Sequence, residues 1–158
     1  MYICASGVGL GEGRFLRSLS VSEIVDQVRL IFDELSLCKS SKPVLFSAMG
    51  EGEPLLNYDN VIKAFKIFED YPCEVRLALS TSGSRVGAIY RLAREEWRKS
   101  FKLQLSLHSA RSAVRSALIP SGGALVDVIA SGVLSGGLVA CWSGHLRGCG
   151  TFGQPAKS

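Results

Sequence analysis

The sequence predicts an α/β fold in which parallel strands alternate with helices, and three observations carry that expectation. Apolar runs of strand length, Val44 to Ser47, Val75 to Leu79 and Leu103 to Leu107, are separated by stretches of helical spacing. The connections between them are too long for hairpins, so each strand must cross back and lie beside its predecessor in the same direction, by right-handed crossovers. Each run also ends in glycine, hydroxyl or turn-forming residues. That composition suits the C-terminal edge of a parallel sheet, where ligands gather in such folds.

Met1 to Cys4 is too short to be a complete strand, and it runs into Gly7-Val8-Gly9-Leu10-Gly11-Glu12-Gly13. Glu12 stands where a dinucleotide fingerprint counted from Gly7 needs its third glycine, and no phosphate-loop pattern occurs elsewhere. Ser20-Val21-Ser22-Glu23 is a capping box. Ile24, Val25, Val28, Ile31, Phe32 and Leu35 follow it at helical spacing, for a helix of about four turns. Ser40-Ser41-Lys42-Pro43 breaks the chain before the strand at Val44. That strand exits through Met49-Gly50-Glu51-Gly52-Glu53-Pro54. Gly52 there allows close approach to the main chain, and Glu53 offers a carboxylate to a cationic group. The same segment also reads as a polar loop in which Asn57 or Asp59 caps the next helix.

Val61, Ala64, Phe65, Ile67 and Phe68 mark the second helix. The strand at Val75 ends in Ser80-Thr81-Ser82-Gly83, and Ile89, Leu92 and Ala93 mark the helix after it. The strand at Leu103 ends in Ser106-Leu107-His108, and Val114, Ala117 and Leu118 mark a short helix closed by Pro120. From Ser121 onward glycine crowds the chain, no acid follows Asp127, and no strand or helix of convincing period is read. The organisation expected is a core over residues 1–120 and a glycine-rich divergent tail over 121–158.

A chain of 158 residues suits one compact domain and is short for two, and 47% hydrophobic with 20% charged residues is a globular composition. A net charge of +4 fits a protein that meets phosphate, though many basic proteins bind no nucleic acid. Arg14, Arg17, Arg76, Arg111 and Arg115 read as RNA contacts or, more simply, as scattered surface arginines. Trp97 and Trp142 read as base-stacking groups or as packing. The five cysteines are an odd, dispersed set, and no signal peptide is read, so a cytoplasmic location is expected. Leu125 to Trp142 is apolar, but Asp127, two serines and glycines interrupt it, and no membrane association is expected.

Three strand ends therefore fall on one edge: Gly52-Glu53-Pro54, Ser80-Thr81-Ser82-Gly83 and Ser106-Leu107-His108. An acid, hydroxyls and strand-end backbone suit a ligand with an ammonium group, a ribose and a base. These segments, with Cys4-Ala5-Ser6-Gly7, Arg17 to Val28 and Met49 to Asn60, resemble the radical S-adenosylmethionine RNA methyltransferases that methylate an adenosine carbon in 23S ribosomal RNA, at C2 or C8. The resemblance runs in order from about Tyr2 to Pro120, and Gly-Glu-Pro-Leu-Leu-Asn-Tyr-Asp-Asn is its most specific string.

The resemblance implies a partial (βα) barrel of the radical SAM type with parallel strands, incomplete at both ends. It also implies S-adenosyl-L-methionine, a [4Fe-4S] cluster, ribosomal RNA with transfer RNA as a second partner class, and a monomer. Gly52 and Glu53 match the cofactor's amino-group site; Ser80, Ser106, Leu107 and His108 match further cofactor contacts. Cys4 matches the third cysteine of a Cys-x-x-x-Cys-x-x-Cys cluster loop, whose second position falls on Met1, and such a cluster needs thiolates at its corners. Two readings follow: a methyltransferase-like enzyme, or a truncated non-catalytic remnant that keeps part of the cofactor site or binds RNA or a partner. The count of N-terminal cysteines discriminates them and favours the remnant.

Overall fold

The computed structural model describes residues 16–37, 42–49, 52–106, 109 and 111–119, and the backbone of 138–141. Four strands form one all-parallel sheet in the order β1-β2-β3-β4: β1 Val44–Ala48, β2 Val75–Thr81, β3 Ser100–Ser106 and β4 Leu138–Cys141. Helices α1 (Val21–Leu35), α2 (Tyr58–Phe68), α3 (Val86–Leu92) and α4 (Ser112–Leu118) alternate with them, and a short 3-10 turn, Pro54–Asn57, precedes α2. The expected adjacency of the first three strands, all parallel, is what the sheet shows.

α1 begins where the capping box places it. The Glu23 amide donates to Ser20 Oγ at 3.3 Å, and the Ser20 amide donates to Glu23 Oε2 at 2.8 Å, so two orphan donors of the first turn are met reciprocally. Arg17 adds a two-pronged pair to the same carboxylate. The apolar stripe of this helix is wider than the surface it meets. Phe32 is buried and Ile24, Val25 and Val28 pack on the core, whereas Ile31 and Leu35 stand exposed.

The core is formed by the sheet with α1, α2 and α3. Phe46 of β1 sits 5.2 Å from Phe32 and 4.7 Å from Phe68 between ring centroids, and Tyr71 closes the cluster edge-on. Of β1 to β3, β2 is the most buried, with Val75, Leu77, Ala78, Leu79 and Thr81 all withdrawn from solvent. A central strand of a parallel sheet is covered on both faces, so this near-continuous burial is expected. Trp97 stacks flat on Phe101 at 4.3 Å, and the Lys66 ammonium lies 4.1 Å from its ring centroid, which bears out packing as its role.

At the entry to β3 the buried Glu69 carboxylate accepts from the Arg98 amide at 2.6 Å and the Lys99 amide at 3.0 Å, fixing where that strand starts. β3 consequently begins at Ser100, three residues ahead of its apolar run, and ends at Ser106. Two findings differ from the pattern of the sequence. In the tail, where no strand is read, Leu138 to Cys141 adds a parallel strand in register with Leu103 to Ser106. A four-residue apolar run among glycines carries no period, and the free edge of β3 supplies the pairing that makes it a strand. α4 is also rotated from its apolar pattern. Val114 and Ala117 face solvent, while Arg115 and Ile119, one turn apart, face inward.

The Arg17 bond, followed by the Ser20 amide, holds the Glu23 carboxyl down at about 2, below its ordinary value of 4.5. A depressed folded-state value means that the stabilisation is complete above about pH 4.5 and lost as pH falls toward 2. We predict that Glu23→Gln flattens this part of the acid limb in thermal melts between pH 5 and 2. An unchanged acid limb in that variant would remove the Glu23 charge and its Arg17 pair from the account, since glutamine at the same position can still complete the capping box. The pair is exposed, so raised salt should shrink the difference.

Candidate active site

The strand ends meet around one carboxylate. Gly52 follows β1 with φ of +85°, a left-handed conformation that glycine adopts without strain, and among the described residues no atom lies within 4 Å of where a Cβ would stand. The glycine is exposed. Glu53 follows, extended, as the N-cap of the 3-10 turn. Its carboxylate is half-buried and accepts on both oxygens. Oε1 accepts from Thr81 Oγ1 at 2.7 Å and from the Leu55 amide at 3.3 Å. Oε2 accepts from the Ser82 amide at 2.8 Å and the Ser82 hydroxyl at 2.7 Å. Hydrogen bonds to an ionised acceptor are each worth about 1.5–3 kcal/mol, so the donors hold the charge in place.

The neighbouring turn has its own support. Gly83, buried at φ +77°, turns the chain after β2 and donates its amide to Thr81 Oγ1 at 3.0 Å. Ser80 lies opposite Gln104 in the sheet register and donates its hydroxyl to that amide oxygen at 2.9 Å. Ser106 closes β3, and its carbonyl accepts from Arg115 at 3.4 Å. Arg115 also donates to the Ser82 carbonyl, so one guanidinium spans the ends of β2 and β3. It is 2% exposed, and burial lowers its pKa from the ordinary value.

The polar string after Glu53 is spent on structure. Asn57 stands at the N-cap of α2 without capping it. Its amide instead donates to the Leu19 carbonyl at 2.8 Å, joined by the Asn60 amide at 3.0 Å, which ties this loop to the segment just before α1. Asp59 pairs with Arg91 at 2.6 Å rather than capping, and Arg91 lies 4.2 Å over the Tyr58 ring. The Tyr58 hydroxyl donates to Glu95 at 2.9 Å; burial, then that carboxylate, raises its pKa.

Of the residues singled out in the sequence, Gly52, Glu53, Ser80 and Ser106 share the C-terminal edge of the sheet, while Leu107, His108 and Cys4 lie outside the described residues. The hydroxyls that grip Glu53 are those of Thr81 and Ser82, not Ser80. Thr81 continues the odd-numbered buried face Val75, Leu77, Leu79, which is the signal that it points inward with them. Arg115 is corrected from surface arginine to buried brace. Arg17 and Arg76 are exposed and pair with Glu23 and Glu74. Among the described residues no group of three metal-ligating side chains occurs, and Cys73, half-buried against the core, stands apart from the site.

No family model matches the chain. It is 40% identical over 114 residues to the dual-specificity RNA methyltransferase RlmN of Halorhodospira halophila, covering 70% of this chain and 30% of that protein. It is 38% identical over 112 residues to the RlmN of Xanthomonas campestris, covering 67% of this chain and 27% of that one. Its fold matches the crystal structure of a radical SAM methyltransferase from Sphaerobacter thermophilus with a TM-score of 0.69 and 27% identity, over 82% of this chain and 40% of that chain. The chain belongs to the radical S-adenosylmethionine RNA methyltransferase family. It spans about a third of the length of the curated relatives it matches. Among the described residues no helix is long and apolar enough to cross a membrane, and most of Leu125 to Trp142 lies outside them.

The network predicts how strongly the turn depends on its acid. Glu53→Ala leaves the Thr81 hydroxyl and the Ser82 amide without their acceptor, and an unmet buried donor costs about 1–3 kcal/mol. We expect a loss of that size in urea unfolding. A loss below about 0.5 kcal/mol, the range of ordinary surface substitutions, would show that water replaces the carboxylate at no cost.

Proposed function

We propose that the Glu53 edge is the S-adenosylmethionine site of an RNA methyltransferase, with Glu53 as acceptor for the ligand's ammonium group. The observation that carries this reading is a half-buried carboxylate, held by one neighbouring strand end and set beside the exposed Gly52. S-adenosylmethionine, when bound, supplies a methyl group and, in this family, the radical chemistry needed to reach an unreactive aromatic carbon. The protein's contribution is to bind and orient. Four donors already occupy the carboxylate, close to its full capacity of about four lone-pair sites. An ammonium must therefore take the place of one. The Ser82 hydroxyl is the replaceable donor, because it swings away by a rotation about its own χ1. The Thr81 hydroxyl is buried and held by Gly83, and the two amides are fixed in the backbone.

Ser80, Ser106, Leu107 and His108 are assigned to the remaining length of the same ligand on the strength of the family resemblance. Ribosomal RNA, or transfer RNA, is the substrate class this reading implies, in a cytoplasmic monomer. The iron–sulfur cluster fits less well. At the cluster-loop positions the sequence supplies Cys4 as a thiolate and has Met1, which offers none, at another. The roles assigned to this chain's residues therefore stop at binding and orienting the ligand.

Isothermal titration with S-adenosylmethionine tests the site. Glu53→Gln should weaken binding about ten- to a hundredfold, the equivalent of a charge-assisted bond. Ser82→Ala, which removes the displaced donor, should bind as tightly as the wild type or tighter. Equal affinity for wild type and Glu53→Gln would remove Glu53 from the ligand. The cluster is tested by anaerobic reconstitution with iron and sulfide. The 158-residue chain should take up well under one cluster per molecule, and a stoichiometric cluster would show that other residues complete the ligand set.

A further inference from the structure

The Glu53 carboxylate is connected to a buried cation through a directed chain of hydrogen bonds. Arg115 donates to the Ser82 carbonyl. That carbonyl belongs to the same peptide group as the Gly83 amide, which donates to Thr81 Oγ1 at 3.0 Å. Thr81 then has one proton to give, and it gives it to Glu53 Oε1 at 2.7 Å. Every bond points the same way, from the guanidinium to the carboxylate. A cation on the carbonyl side of an amide strengthens the amide as a donor, and a hydroxyl that accepts from a strong donor becomes a stronger donor itself. The relay therefore polarises toward Glu53. It also fixes its members in space, because the Ser82–Gly83 peptide is held at its oxygen by Arg115 and at its nitrogen by Thr81. The remaining arm of the guanidinium reaches the Ser106 carbonyl, so the same side chain sets the spacing between the ends of β2 and β3.

We infer that Arg115 is a positioning residue for the ligand's ammonium site. It acts on Glu53 through the Ser82–Gly83 peptide and Thr81, without touching the ligand. This rests on the reading of Glu53 as the ammonium acceptor. The requirement on the residue type is specific. A guanidinium presents a planar fork that serves two carbonyls at once, whereas a lysine ammonium is a single point of charge on a flexible stem. The arginine is also nearly inaccessible at 2% exposure, so its charge is not available to a phosphate backbone.

A double-mutant cycle tests the inference, with S-adenosylmethionine as the probe in calorimetry. Arg115→Met and Thr81→Val are each measured alone and in the Glu53→Gln background. Arg115→Lys replaces Arg115→Met if that variant fails to fold. Thr81→Val keeps the branched shape of the side chain, removes only the hydroxyl, leaves Arg115 in place and cuts the relay at its last link. Either substitution alone should weaken binding about fivefold or more, and less than twofold once Glu53 has been changed. A residue that merely supports the fold would lower affinity by the same factor in both backgrounds, and that result, or no loss at all, overturns the inference. If the wild type binds no S-adenosylmethionine, the proposed function fails by itself. The relay is then judged in the free protein by amide hydrogen exchange. Gly83 should exchange at least tenfold faster in Thr81→Val and in the Arg115 variant, with Ile62 in α2 as the control. Unchanged Gly83 exchange in both variants would overturn the relay.

Discussion

A carboxylate drawn partly out of water at the edge of a sheet has to be met by donors, and the end of β2 is built around that requirement. Glu53 comes from the exit of β1, yet three of its four donors belong to Thr81 and Ser82 at the end of β2. The demand propagates outward. Thr81 has to face inward to deliver its hydroxyl, Gly83 has to turn the chain at positive φ, and the freed Ser82 carbonyl has to be met in turn. A buried arginine from α4 meets it and reaches β3 as well. Desolvating a guanidinium is unfavourable, as its lowered pKa records. The cost is tolerated because one side chain serves carbonyls on two strands.

The opposite edge of the sheet is organised by a similar device. Glu69, almost fully buried, receives the amides of Arg98 and Lys99 and pins the approach to β3. The two ends differ in setting. The Glu69 carboxylate faces backbone donors of its own chain in a closed setting, whereas Glu53 stands beside the exposed Gly52. An acid with an accessible neighbour can exchange one of its donors for a ligand. An enclosed one serves the fold.

Much of this was legible in the chain before its structure. The helices announced themselves by apolar spacing and by the Ser20–Glu23 box, and the strands by continuous apolar runs, because those signals are local. The glycine, acid and proline after β1 marked a sharp strand exit for the same reason, and the segment read equally as a polar loop; the donors that Glu53 meets come from the structure. The residues that complete the site were not legible. Thr81 shares the odd-numbered face of Val75, Leu77 and Leu79, which marks it as inward-facing, but nothing in the run of hydroxyl residues says that it and Ser82 meet Glu53 from across the sheet. Arg115 was hidden by its neighbours, since Val114 and Ala117 suggested a different inward face for α4. The Ser82 and Ser106 carbonyls, set by strands earlier in the chain, receive that buried charge and are not visible in the local pattern. Residues 138–141 were illegible because a short apolar run becomes a strand only when a neighbouring edge is available.

β1 is the shortest of the first three strands and pairs with β2 alone among the described strands, with Leu45 left 61% exposed on its face. Segments with few buried contacts open at a lower free energy than the core, and among the described strands β1 has the thinner support. Yet the anchoring of Glu53 does not run back along β1. It crosses to the end of β2, which is paired on both sides and almost wholly buried. The carboxylate is thus a passenger of β1 and a fixture of β2. Fraying of β1 from its Val44 end leaves the acid moored, much as a gangway stays fast to the quay when its far end lifts.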